Sequence, residues 1–391
     1  MSQTAVSRAK VVVLFEGTWN DNRNPSVITR LYNLLAKSKS LHVHRTMGSG
    51  TRGAKPFKRI FGLTGWDTCR IVLNQYWWLS SLARHYNWKL DDFEVYAFGF
   101  SRGGFQARVL CEILKLYGLA RTKRQAKYHV ILYQLMVARL VLRWLKLSSG
   151  VRIAYLGLWD AVRTHLSSFI ICHEDVDPYI NCRHAKAIHE SRIFFRPVTC
   201  AGASERWFIG AHSDVGWGYK RTSTLGKIAA EWVLEPVWNL LGMNTNRDKL
   251  IDSFVNVQAL LVNYWFLFHD SSKATINCKG LFPTFSRSIG EPHEIVRAIL
   301  NVAQTTDIYP IEVRTKMLMT LSKCKKHTRI LLSASERKKI YERVEKSREK
   351  IRVIFREHGL LKKSESQNEF DRLVDYASYF CKSKGYAEAQ G

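Results

Sequence analysis

Residues 99–103 read Gly-Phe-Ser-Arg-Gly, a G-x-S-x-G pentad placed directly behind the apolar run Phe93-Glu94-Val95-Tyr96-Ala97-Phe98. Behind the pentad, residues 103–117 carry Phe105, Val109, Ile113 and Leu116 at helical spacing. Strand, tight turn and helix is the context in which such a pentad holds a nucleophilic serine. The chemistry is acyl transfer, in which a weak hydroxyl nucleophile needs a base within hydrogen-bond reach and a carboxylate to hold that base. Glycines on either side let neighbouring backbone pass close to a strained turn, and Gly103, with Asp214, is expected to support the site. The following helix aims its first amides at the place where an oxyanion develops. The backbone amides of Arg102 and of the Gly17–Thr18 loop are the candidate donors. A glycine-rich structural turn is the competing reading of the pentad alone.

The elements that must position these groups follow from the apolar runs. Residues 11–15, 93–98, 152–158 and 206–209 read as strands of a parallel sheet, and each ends in a small or polar loop. Helical patterns separate them, notably over residues 68–85 and after Ser101. Strands alternating with helices give a doubly wound α/β sheet, which binds ligands beyond the carboxyl ends of its strands. Asp160 follows the third run and His212 the fourth, so the chain order Ser, Asp, His is that of the α/β-hydrolase arrangement. Asp160 also fits a turn or helix cap, and His212 a structural loop histidine. Among the 13 histidines, His293 in Glu-Pro-His-Glu is the main rival base, and His165 stands five residues beyond Asp160. Asp214 either orients His212 or caps a turn. Gly210, Gly216 and Gly218 give that loop the backbone freedom a tight site needs.

Composition allows this and limits the partners. A chain of 391 residues that is 46% hydrophobic can bury a full α/β core. Its eight cysteines show no C-x-x-C spacing, which predicts buried thiols in a reducing compartment and no zinc site; no metal or cofactor is expected. The first ten residues are polar, the apolar run at 11–15 is too short for a signal core, and no apolar stretch of about 18 residues occurs. The expectation is a cytoplasmic protein, peripheral to membranes, for which export needs a dedicated secretion system. The formal charge is +27, and it is concentrated. Residues 22–66 and 113–159 each contain nine Lys or Arg and no acid. Both windows begin at or near strand ends, so they belong on the rim of the site. They fit an anionic phospholipid surface; nucleic acid is less favoured, since no nucleic-acid-binding motif accompanies the charge.

Several motifs in order resemble one family. These are Leu-Phe-Glu-Gly-Thr-Trp-Asn-Asp at 14–21, Gly-Phe-Ser-Arg-Gly-Gly-Phe-Gln-Ala-Arg at 99–108 and Gly-Leu-Trp-Asp-Ala-Val at 157–162. Arg-His-Ala-Lys-Ala-Ile-His-Glu-Ser-Arg at 183–192 and Trp-Phe-Ile-Gly-Ala-His-Ser-Asp-Val-Gly-Trp-Gly-Tyr at 207–219 complete the string. The chain resembles the DUF2235 α/β-hydrolase domain family, which includes Tle1-type phospholipase effectors of the bacterial type VI secretion system. The resemblance covers roughly residues 10–300. It implies Ser101 as nucleophile, Asp160 as the triad acid and His212 as the base, as the residues themselves suggested. Two departures stand out: Glu16 where the family usually has aspartate, and Trp217 where it usually has glycine. A tryptophan there adds apolar bulk that would narrow the site or help hold an acyl chain.

The expected architecture is an α/β-hydrolase-like catalytic domain over residues 1–310, with a helical cap at about 118–150 and a basic helical C-terminal appendage over 311–391. The appendage holds 20 Lys or Arg against 11 acids, as expected of a solvated helical segment. Residues 128–147 carry Arg139, Arg143 and Lys146 on one helical face, which suits either a helix in a membrane interface or a cap helix snorkelling its basic heads. The activity expected is that of a serine ester hydrolase of the phospholipase A type. The alternatives are an inactive hydrolase scaffold that binds membrane or nucleic acid, and an esterase or thioesterase for small acyl substrates.

Overall fold

In the computed structural model, residues 8–20, 22, 24–51, 67–134, 150–163, 181–192, 195–200, 202–219, 223–243, 287, 291–320 and 333–358 are described. The apolar runs become strands: β1 (Ala9–Phe15), β3 (Phe93–Phe100) and β4 (Ile153–Trp159). Val11 to Phe15 are 0% exposed, so both faces of β1 are covered, which is why it reads as a continuous apolar run rather than an alternation. The fourth run, 206–209, falls on β6 (Ser204–Phe208), and two further strands are β2 (Leu41–Thr46) and β5 (Cys182–Ala187). The strand order is β2-β1-β3-β4-β5-β6, and β2, β1, β3, β4 and β5 pair in parallel. This is the doubly wound α/β arrangement expected from the sequence.

Register is what builds the site. Phe15 lies across from Gly99, and Phe100 across from Trp159. The loops that begin at Glu16, Ser101 and Asp160 therefore leave the sheet from one rim.

Between strands run α1 (Val27–Leu35), α2 (Thr68–His85), α3 (Arg102–Tyr117), α4 (Lys123–Gln134) and α5 (Ser223–Leu234). Helix α2 buries Ile71, Val72, Tyr76, Leu79 and Ala83 along one stripe. It ends where Asn87 takes a left-handed φ of 53°, with the Trp88 amide bonding back to Ala83 and the Asn87 amide to Arg84, a Schellman stop. Helices α2 and α3 cover β1 and β3 through Val11, Val13, Phe15, Phe93, Phe105 and Leu110. Further on come α6 (Glu294–Thr305), α7 (Ile311–Thr320), α8 (Ala334–Lys346) and α9 (Arg348–Glu357). Helix α8 opens on a capping box between Ser333 and Glu336, and α9 buries Ile351, Ile354 and Phe355.

The chain forms two compact units, Met1–Lys186 with Phe194–Glu205 and Val215–Leu250, and Ala187–Ile193 with Arg206–Asp214 and Ile251–Gly391. Arg139, Arg143, Lys146 and His165 lie outside the described residues. Among the described residues no helix is long and apolar enough to cross a membrane, and Cys69, Cys111, Cys182 and Cys200 are free thiols.

Candidate active site

Ser101 sits at the turn between β3 and α3 with φ 60° and ψ −131°, a conformation that costs a non-glycine residue about 1–3 kcal/mol. Backbone hydrogen bonds hold it there. The Ser101 amide donates to the Trp159 carbonyl at 3.0 Å, and the Ser101 carbonyl accepts from Gly104 at 3.0 Å and from Val162 at 3.2 Å. The turn is also packed from behind. A Cβ on Gly103 would lie 2.3 Å from the Phe15 carbonyl oxygen and 2.5 Å from that of Glu16. Gly103 therefore lets the first turn of α3 rest on the carboxyl end of β1. Gly103→Ala should destabilise the protein by about 1–3 kcal/mol, because both obstacles are buried backbone atoms, at the end of β1 and the start of the loop after it. A urea midpoint unchanged from the wild type would refute this.

The loop after β1 carries the second set of predicted donors. Its Trp19 amide donates to the Ser49 carbonyl and its Asn20 amide to that of Gly17, both at 3.0 Å. The Thr18 hydroxyl is buried, with no hydrogen-bond partner among the described residues. The neighbouring Arg102 is also buried; desolvation lowers its guanidinium to about 10, with the Asp67 carboxylate opposing the shift.

Glu16 proves to be an anchor for α1. It is fully buried, accepting from Ser26 Oγ at 2.6 Å, from Thr29 Oγ1, and from Arg45 at 3.3 Å. Ser26 in turn caps α1 by accepting from the Ile28 amide, so the carboxylate lies at the helix N-terminus where negative charge is favoured. Burial raises the Glu16 pKa, against the pull of those hydrogen bonds and of Arg45.

Asp160 follows β4, fully buried and at a left-handed φ of 38°. Its amide donates to the Ala185 carbonyl on β5 at 2.7 Å. Ser101 and Asp160 thus leave adjacent strands, and the Val162 amide bonds to the Ser101 carbonyl to tie the two turns together.

His212 and Asp214 belong to the second unit, on the loop after β6, where one helical turn spans His212–Val215. The Asp214 carboxylate accepts from the Ala211 amide at 2.9 Å and so caps this turn. The His212 amide donates to Glu190 Oε2 at 3.3 Å, and the Gly210 amide to His189 Nδ1 at 3.0 Å. Glu190 is fully buried; desolvation opposes its ionisation, but Arg192, Arg287 and His212 outweigh this and hold its carboxyl below the usual range. Arg192 grips it through Nε and Nη2 at 2.9 Å each. His189 and Glu190 stand in the quoted 183–192 motif, yet sequence reasoning assigned them no role. The signal available was a polar pair closing an alternating Arg-His-Ala-Lys segment. His293, the rival base, stacks on Phe208 with ring centroids 4.7 Å apart.

Beyond His212 the chain returns to the first unit. Its Gly216 packs against the Phe100 ring, which a Cβ would meet at 2.1 Å, and its carbonyl accepts from the Val27 amide. Trp217 adopts φ 54° and is 4% exposed, with the Arg30 guanidinium 4.7 Å above its ring and Gly226 against its Cβ. Its apolar surface is used in packing.

A family model described as "T6SS, Phospholipase effector Tle1-like, catalytic domain" matches residues 9–140 and 141–236. Among solved structures, the chain is similar to the Tle1 effector bound to the VgrG spike from the type 6 secretion system, at 18% identity and TM-score 0.34. That match covers 55% of this chain and 52% of the other, so this chain spans about half the length of that effector. An acetyl xylan esterase matches at 12% identity and TM-score 0.30, over 60% of this chain and 100% of that one. A sugar hydrolase (YeeB) from Lactococcus lactis matches at 12% identity and TM-score 0.31, over 61% and 93%. No curated protein matches the chain.

Proposed function

This chain belongs to the catalytic-domain family of Tle1-like phospholipase effectors of the type VI secretion system, and we propose that it is a serine acyl-ester hydrolase acting on membrane phospholipids. The observation that carries this reading is Ser101 at φ 60° between β3 and α3, beside the β1 loop and one strand from Asp160. In the proposed mechanism Ser101 Oγ attacks the ester carbonyl carbon while the His212 imidazole takes its proton. Asp160 holds that imidazole and stabilises its cationic form. The amides of Arg102, Gly17 and Thr18 bind the oxyanion, and the buried Thr18 hydroxyl, without a partner among the described residues, offers a further donor in the same loop. Collapse of the intermediate expels the alcohol, which His212 protonates, and leaves an acyl-serine. Water then gives a proton to His212 and attacks the acyl carbon, and His212 returns that proton to Ser101 Oγ as the fatty acid leaves.

The substrate surface follows from charge. Helix α4 exposes Lys123, Arg124 and Lys127 together with Tyr128, Ile131 and Leu132, the last three 52, 42 and 37% exposed. Basic heads beside exposed apolar side chains suit an anionic lipid interface, at roughly 1 kcal/mol per well-placed Lys or Arg. The attraction is screened within about 8 Å at physiological salt. The test is incubation with vesicles of defined lipids, with mass analysis of the products. Hydrolysis should rise with phosphatidylglycerol content and fall at high salt, while turnover of a small soluble ester barely changes with salt. Lys123, Arg124 and Lys127 changed together to Gln should weaken vesicle binding and spare the soluble ester. Equal binding to neutral and anionic vesicles, with salt-sensitive binding to DNA or RNA instead, would remove the lipid claim.

A further inference from the structure

We infer that His184 is a positioning residue, whose Nε2 accepts the Ala161 amide proton and so fixes the turn that carries Asp160. The inference rests on the proposed role of Asp160 as the triad acid.

The turn needs fixing because Asp160 is a non-glycine residue at φ 38°, a backbone state that persists only when its surroundings over-determine it. Three successive amides of the turn are each given a partner. Asp160 donates to the Ala185 carbonyl at 2.7 Å, Ala161 to His184 Nε2 at 3.0 Å, and Val162 to the Ser101 carbonyl at 3.2 Å. The Ala161 carbonyl accepts from Val198 at 2.8 Å. Of these contacts, the one with His184 alone is made by a side chain.

An imidazole that accepts on Nε2 must carry its proton on Nδ1. The structure provides for that tautomer: Nδ1 lies 3.2 Å from Glu205 Oε1, which accepts its proton. Glu205 is itself held by Lys186 Nζ at 2.5 Å and by the Cys200 amide at 3.2 Å. His184 and Lys186 alternate along β5 with their side chains toward one carboxylate. The ring is 0% exposed, and burial lowers its pKa against the opposing pull of Glu205, which keeps it neutral and able to accept.

The same residues invite a different reading. His184, Cys200 and Glu205 each place a potential metal-ligand atom within 4.8 Å of the others. Here the donor set is already committed. Nε2 holds an amide proton, Nδ1 is a donor, Glu205 carries an ammonium partner, and burial pushes the Cys200 thiol up to about 11. Hydrogen bonding across the acid's turn fits these groups better than a cation does.

Two substitutions separate the halves of the imidazole. In His184→Asn the amide stands where Nδ1 was and can still meet Glu205, but nothing reaches Ala161. In His184→Gln the side-chain oxygen reaches the place of Nε2 and accepts the same proton. With a soluble chromogenic acyl ester and the full chain, His184→Asn should lower kcat on the order of 10²-fold with KM little changed, since about 1 Å of misplacement costs that much. His184→Gln should recover to within about tenfold of the wild type. Combined with Asp160→Asn, His184→Asn should add no further loss, because the two act on one function. Near-wild-type activity of Asp160→Asn would remove the triad assignment itself. An inactive Asp160→Asn beside fully active His184→Asn, equal losses in the Asn and Gln variants, or an effect confined to KM would overturn the role of His184 alone. Hydrogen exchange offers a check that needs no variant: the Ala161 amide should be strongly protected in the wild type, and rapid exchange there would overturn the inference.

Discussion

Ser101→Ala should lower acyl-ester turnover on the order of 10⁴-fold or more while leaving the fold intact. The change removes one hydroxyl from a position whose backbone is fixed by main-chain groups: the Trp159 carbonyl, the Gly104 amide and the Val162 amide. Alanine meets the same strain at φ 60° as serine does, so stability should barely move. A fluorophosphonate probe supplies the direct readout, since it reacts only with an activated serine. Labelling should appear on the wild type at Ser101 and vanish in the variant. A wild-type protein that stays unlabelled and inactive on every acyl ester would end the hydrolase assignment, whatever the family resemblance.

The second large effect concerns the base. His212→Ala should lose activity as completely as Ser101→Ala, and the double variant should be no worse than either. A serine without its base is not a nucleophile, so members of a triad act as one unit and their losses do not multiply. The control is His293→Ala. That ring stacks on Phe208 with centroids 4.7 Å apart, so losing it should cost stability and spare turnover. An inactive His293→Ala beside an active His212→Ala would transfer the role of base to the later histidine and leave the α/β fold untouched. Glu190 matters to both outcomes, because its buried carboxylate holds the His212 amide and lies within the charge field of that histidine.

The sequence alone determined the parts whose signal is local. Strands β1, β3 and β4 were readable because a parallel strand covered on both faces must be a continuous apolar run. Helix α2 was expected over residues 68–85 and forms Thr68–His85, since its apolar stripe is unbroken and Asn87 stops it. The elbow was readable because glycines at 99 and 103 flank a serine between strand and helix, a pattern with few other uses. Strands β2 and β5 were not readable. Leu-His-Val-His-Arg-Thr and Cys-Arg-His-Ala-Lys-Ala look polar, and only tertiary partners make them strands. His42 packs edge-on to Tyr86 and Trp88, His44 stacks on Trp78, Arg183 pairs with Glu235, and Lys186 with Glu205. What the tertiary structure decided is therefore the set of buried polar groups beside the predicted residues, in each unit separately. Glu16 at the start of α1, His184 under the Asp160 turn and Glu190 under the His212 amide each have partners distant in sequence. Burying a charged or polar side chain costs too much unless a partner meets it, and no local pattern can say which residue, ten or a hundred positions away, will be that partner.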